Sequence, residues 1–177
     1  YFRANKLVLE QVLMDDIARL PKAFETGECD AYTSDTSMLG AIRSRMPQPE
    51  SFDILGEQIS KEPLAQVVRQ EDDSLFDVLR WTVFALINAE ELGITSTNVD
   101  AMLKSDDPDV QRLLGVLPGN GAVLGLNEAW AYIVVKTVGN YGEMFERNVG
   151  SRSRIKLPRG LNRLWTAGGL MYAPPAR

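Results

Sequence analysis

Between Asp72 and Leu92 the sequence commits to a helix that has almost no polar side. Asp72-Asp73-Ser74 supplies a cap, and Leu75, Phe76, Val78, Leu79, Trp81, Val83, Phe84, Leu86 and Ile87 follow with few breaks. Such a helix must be covered on most of its sides. Upstream the pattern differs: residues 7–13, 30–33 and 52–55 read as short strands, each separated from the next by a helical stretch. Strand, helix, strand, helix, strand predicts an α/β fold with a parallel or mostly parallel sheet and crossover helices. One more strand, residues 63–69, is opened by Pro63, and after it the chain is almost wholly helical. A boundary therefore falls near Glu62, between an α/β part (residues 1–62) and a second part (residues 63–177). No sheet in this sequence is large enough to cover the apolar helix. The expectation is a two-lobed protein whose first lobe begins upstream, with residues 1–62 part of the second lobe and the chain returning to the first at Pro63.

Local signals place the other elements. Asp15 and Asp16 offer caps to a helix ending near Gly27, and because a proline in a helix interior costs about 3 kcal/mol, Pro21 makes that helix start late or kink. Thr36 or Ser37 begins a helix through Met38, Leu39 and Ile42 that Pro47-Gln48-Pro49 stops. Ser96 to Asn98 can cap a short helix, and Asp107-Pro108 is an N-cap followed by proline at the first helical position, with a stop at Gly115. Residues 118–121 read as a loop, Asn127 caps a helix over residues 128–138, Gly139 breaks it, and residues 141–148 resume. The Gly- and Pro-rich tail holds one helical turn around residues 161–165.

Composition removes several chemistries. There are no histidines and one cysteine, so His-based acid/base catalysis and Cys/His metal clusters are excluded, and neither a cofactor nor a catalytic residue is expected. A net charge of −5 offers no footprint for phosphate backbones, and nucleic acid is not an expected partner. No apolar run approaches the roughly 18 residues of a spanning helix, so the chain is not expected to span a membrane. It opens on Tyr1-Phe2-Arg3-Ala4-Asn5, without initiator Met or signal segment, and reads as a piece of a longer precursor. Gly119-Asn120-Gly121 lacks the Lys-Ser/Thr pair of a phosphate loop.

The candidate site lies in Gly27-Glu28-Cys29-Asp30-Ala31-Tyr32-Thr33-Ser34-Asp35, a left-handed helix stop, a strand and a carboxylate at the strand's carboxyl end. Open α/β sheets bind ligands at that end. Asp35 has two readings, a plain helix N-cap worth about 1 kcal/mol or a ligand contact. Thr33 and Ser34 beside it are local turn formers or hydroxyl donors to a ligand carboxylate. Lys61, Glu62 and Pro63 suit a hinge, since proline fixes the direction in which a strand re-enters another lobe. Cys29 is either a small buried core residue or half of a disulfide. Glu90 and Glu91 read as a solvated helix face, and Trp81, Trp130 and Trp165 as core.

The Gly-x-Cys-Asp-Ala-x-x-x-Asp run of residues 27–35 resembles the second lobe of periplasmic solute-binding proteins for polar amino acids. The resemblance continues through Lys61-Glu62-Pro63-Leu64, Asn88-Ala89-Glu90-Glu91-Leu92-Gly93-Ile94-Thr95 and Val138-Gly139-Asn140-Tyr141-Gly142-Glu143. It extends through Arg159-Gly160-Leu161-Asn162, Leu164-Trp165 and residues 168–175, so nearly the whole chain looks like the general L-amino-acid-binding subfamily. This implies a type II periplasmic binding protein-like fold, here the second lobe plus the helical C-terminal part of the first, joined by hinge strands. It implies a free L-amino acid as ligand, with broad specificity, and the membrane permease of an ABC importer as partner, in the periplasm. It implies that Asp35 accepts hydrogen bonds from the ligand α-ammonium, that Cys29 pairs with a cysteine upstream, and that the arginine gripping the ligand carboxylate also lies upstream. The rivals are a dehydratase-like enzyme on the same fold and a ligand-sensing lobe of a receptor.

Overall fold

The computed structural model describes residues 1–61 and 63–176, and the chain divides into two compact units. The first comprises residues 1–64 with residues 154–157; the second comprises residues 65–153 and 158–177.

In the first unit Asp16 caps a single 3₁₀ turn, Ile17–Arg19, by accepting from the Ala18 N–H. The helix that follows, α1 (Leu20–Glu25), starts late, with Pro21 in its first turn where no intrahelical acceptor is needed. Gly27 stops it at φ +77°, the left-handed conformation expected there. α2 (Thr36–Arg43) is the helix predicted after Asp35, ending before the prolines. Gly40 in its middle is buried against Ile155 and Leu157, and Arg43 donates to the Ile155 carbonyl at 3.3 Å. Phe24 and Phe52 pack at 5.3 Å between ring centres.

The predicted strands are a correction. Residues 7–13, 30–33, 52–55 and 63–69 join no ladder, and among the described residues the one bridge outside a helix is the parallel Leu164–Met171 pair. A strand closes its hydrogen bonds only against a neighbour, and here none of the four segments has one. Their side chains stay correspondingly open: Val8 is 98% exposed, Leu55 73% and Val67 92%.

The second unit is helical. Asp72 caps α3 (Asp73–Glu91) by accepting from the Leu75 N–H at 3.1 Å, and α4 (Val99–Met102) and α5 (Pro108–Leu113) follow at the predicted places. Gly115 stops α5 at φ +76° so close to the next segment that a Cβ would stand 2.1 Å from the Glu128 carbonyl oxygen. Residues 118–121 are not a plain loop: α6 (Asn120–Val123) forms because the Glu128 carboxylate accepts from the N–H groups of Gly119, Gly121 and Ala122. α7 (Trp130–Val138) and α8 (Tyr141–Asn148) complete the unit, before 3₁₀ turns at Gly160–Asn162 and Trp165–Ala167. The core lies where the second half of α3 meets α7 and α8, and Ala89, Ile94, Val99, Ala131 and Val135 are wholly buried there. Only that half of α3 is covered. Leu75 and Phe76 in its first turn are 44% and 47% exposed.

Candidate functional site

Asp35 occupies the cap position of α2, with φ −56° and ψ 141°, yet its side chain makes no cap hydrogen bond. Asp35 is half-buried, and Thr33 and Ser34 beside it are exposed. None of the three side chains bonds to another described residue, so all keep their full hydrogen-bonding capacity. Three backbone N–H groups at the same helix end, those of Thr36, Ser37 and Met38, have no intrahelical acceptor, and the helix dipole adds partial positive charge there. The arrangement therefore offers an anion to an ammonium and adjacent donors to a carboxylate. What holds it in place is the packing of α2 through Gly40 and Arg43 onto residues 155–157. Cys29 is half-buried and carries a free thiol. Lys61 and Pro63 are exposed in a segment without helix or ladder, and Glu62 lies outside the described residues.

Two polar clusters escape sequence reading. At the start of α8, Asn140 and Glu143 form a capping box: the Asn140 side chain accepts from the Glu143 N–H, and the Glu143 carboxylate accepts from the Asn140 N–H. The same carboxylate accepts from the Ser96 hydroxyl at 2.6 Å and the Ser96 N–H at 3.0 Å, while Asn140 Nδ2 donates to the Ile94 carbonyl at 2.8 Å. Burial pushes the Glu143 carboxyl up, but the hydrogen bonds from Ser96 and Asn140 together hold it below its usual value. The Asn-x-x-Glu spacing signals the box; the reach to Ser96, 47 residues away, has no local signal.

The second cluster corrects Glu90. Expected on a solvated face, it pairs with Arg159 at 3.0 Å with both side chains mostly buried, at 19% and 15% exposure. The Arg159 guanidinium lies over the rings of Tyr141 and Phe145 and donates to the Asn162 carbonyl, fastening the tail to α3 and α8. Trp165, expected in the core, is 50% exposed and donates its indole N–H to Glu91. Among the described residues no group of His, Cys, Asp and Glu could hold a metal ion.

No protein-family model matches the chain. Curated relatives match all of it. The general L-amino acid-binding periplasmic protein AapJ of Rhizobium johnstonii is 49% identical, with 52% of its own length covered. The glutamate/glutamine/aspartate/asparagine-binding protein BztA of Rhodobacter capsulatus is 44% identical, with 53% covered. The chain is a homologue of the amino-acid-binding periplasmic proteins of ABC transporters. The putative amino-acid ABC transporter-binding protein YhdW of Escherichia coli K12 is similar at 48% identity. A solved periplasmic binding protein of an ABC transporter from Brucella ovis, with glutathione bound, superposes on the whole chain with a TM-score of 0.89 at 50% identity. The chain covers 56% of that structure and about half the length of the curated relatives, so its fold is part of a periplasmic binding protein fold. No described helix is long and apolar enough to cross a membrane.

Proposed function

We propose that this chain is one part of a periplasmic solute-binding protein that takes up free L-amino acids of polar character and presents them to the permease of an ABC importer. The observation that carries the proposal is the match of every part of the chain, at 44–49% identity, to proteins named for amino-acid binding. In this reading residues 1–62 belong to the ligand-facing second lobe, residues 63–177 return to the first, and Lys61 to Pro63 are the hinge. Asp35, carrying no cap bond, takes the α-ammonium, and Thr33 or Ser34 supplies a hydroxyl to the ligand carboxylate. Ligand favours the closed state because only that state touches it from both lobes. The task is binding rather than turnover.

The glutathione bound to the Brucella neighbour widens the ligand class. The γ-glutamyl end of glutathione carries an α-ammonium and an α-carboxylate like a free amino acid, so the same Asp35 contact serves either. Titration calorimetry on the full-length protein with a panel of L-amino acids and glutathione tests the proposal. Binding of several polar amino acids, lost in Asp35→Asn, is expected; binding that survives Asp35→Asn removes the site assignment, and a panel without any binding removes the function.

A further inference from the structure

A cleft of about 230 Å³ opens in the second unit between the end of α3, α5 and the tail. It is smaller than the roughly 300–1,000 Å³ of sites for drug-sized molecules, so it suits a short aliphatic group and its head. Its polar lining consists of Asn88, Glu91 and Asp109, and its aromatic lining of Trp165 and Tyr172, whose rings meet edge to face at 5.9 Å. Asn88 is only 9% exposed, and its Nδ2 donates to the Pro174 carbonyl at 2.8 Å. No side-chain nitrogen or oxygen among the described residues is sealed in without a partner. Asn88 Oδ1, which accepts from no described residue, is therefore not sealed off, and Asn88 lines the cleft. Asp109 shares its charge with Arg112 at 3.1 Å, whereas Glu91 accepts only the neutral indole N–H of Trp165. The lining thus holds acceptors, the Glu91 carboxylate, two half-exposed aromatic rings and the Tyr172 hydroxyl, and among the described residues no cationic side chain.

We propose that this cleft is a second binding site, taking the ammonium or guanidinium head of a small aliphatic cation. The head sits against the Glu91 carboxylate and the ring faces of Trp165 and Tyr172, donating to Asn88 Oδ1, while Leu113 and the tail pack its alkyl stem. Among the described residues the lining offers a ligand carboxylate no cationic group, only neutral donors such as the Tyr172 hydroxyl, and holds it close to Glu91. Amino-acid zwitterions are therefore disfavoured, and the cleft does not compete with the site proposed at Asp35.

Nuclear magnetic resonance on the full-length protein tests this through the indole N–H signal of Trp165, assigned with Trp165→Phe. The probes are n-butylammonium, n-butylguanidinium and the neutral n-butanol. Both cations are expected to shift that signal saturably and n-butanol is not; Glu91→Gln is expected to weaken cation binding about threefold. Equal shifts from n-butanol, no shift from either cation, or an unchanged dissociation constant in Glu91→Gln each overturn the site. Tyr172→Leu, which leaves Glu91 in place, should weaken the cations as well through the lost ring face. The measurement in Asp35→Asn is expected to match wild type, which separates failure of this site from failure of the amino-acid reading.

Discussion

Asp35 heads α2 without capping it, and that separates its two readings by experiment. A capping carboxylate replaced by a residue that cannot cap loses about 0.5–2 kcal/mol, whereas a side chain with no cap bond has little stability to lose. Asp35→Ala is therefore expected to change the unfolding free energy measured in urea by less than about 0.5 kcal/mol while removing amino-acid binding in calorimetry. A large stability loss would return Asp35 to the role of a cap. Asn140 is the opposite case: it caps α8, its Nδ2 satisfies the Ile94 carbonyl, and it is 5% exposed. Asn140→Ala leaves both partners short of a bond, and a loss of about 1–3 kcal/mol is expected by urea unfolding. Glu143 adds a pH signature. Its native carboxyl is held down by Ser96 and Asn140, so its contribution to stability is full above the unfolded value near 4.5 and is lost as pH falls through the lower native value. The acid limb of the stability curve is expected to flatten in Glu143→Gln; an unchanged limb would mean that other carboxylates carry it.

At the scale of elements, the helices other than α6 were legible and the strands were not, for one physical reason. A helix closes its hydrogen bonds within itself, so Asp72, Asp107-Pro108 and Gly27 mark its ends from adjacent sequence alone. Residues 7–13 and 63–69 carry strand composition, but the ladder depends on a second segment that local sequence does not name. The same limit hid Glu90. Its spacing on α3 looked solvated, and only the fold brings Arg159 to it from 69 residues away. Of the candidate site, the position of Asp35 at a helix start was readable, and the absence of a cap bond was not. The Arg159 contact makes an element-scale prediction, because one guanidinium joins α3, α8 and the tail. Arg159→Met leaves Glu90 unpaired and mostly buried, and a loss toward the low end of the 3–5 kcal/mol range for breaking buried pairs is expected in denaturant unfolding. Adding Glu90→Gln to Arg159→Met should recover part of it, since the remaining uncompensated charge is then gone. If the double variant loses the full sum of the single effects, the pair is not what fastens the tail.

Over the whole molecule, the pattern of exposure runs against the pattern of sequence. Val8, Leu13, Leu55, Leu64 and Val67 stand between 73% and 98% exposed in segments whose composition is that of buried strands, and burying each such side chain is worth about 1.5–3 kcal/mol. The first turn of α3 is likewise open at Leu75 and Phe76. The chain spans about half the length of the curated relatives it matches, and the proposed two-lobed protein supplies what these segments lack: neighbouring strands for residues 7–13 and 64–68, and cover for α3. Hydrogen exchange reads this directly, because an amide in a ladder is protected and an unpaired one exchanges near the free-peptide rate. In the 177-residue chain alone, residues 7–13 and 64–68 are expected to exchange fast while the buried turns of α3 around Ala85 to Ala89 stay protected. In the full-length protein the same two segments are expected to become protected, with further slowing on addition of a bound amino acid if they lead into the hinge. Fast exchange in both forms would mean that residues 7–13 and 64–68 are not strands in any context, and the assignment of residues 1–62 and 63–177 to two lobes joined at Lys61 to Pro63 would fall with them.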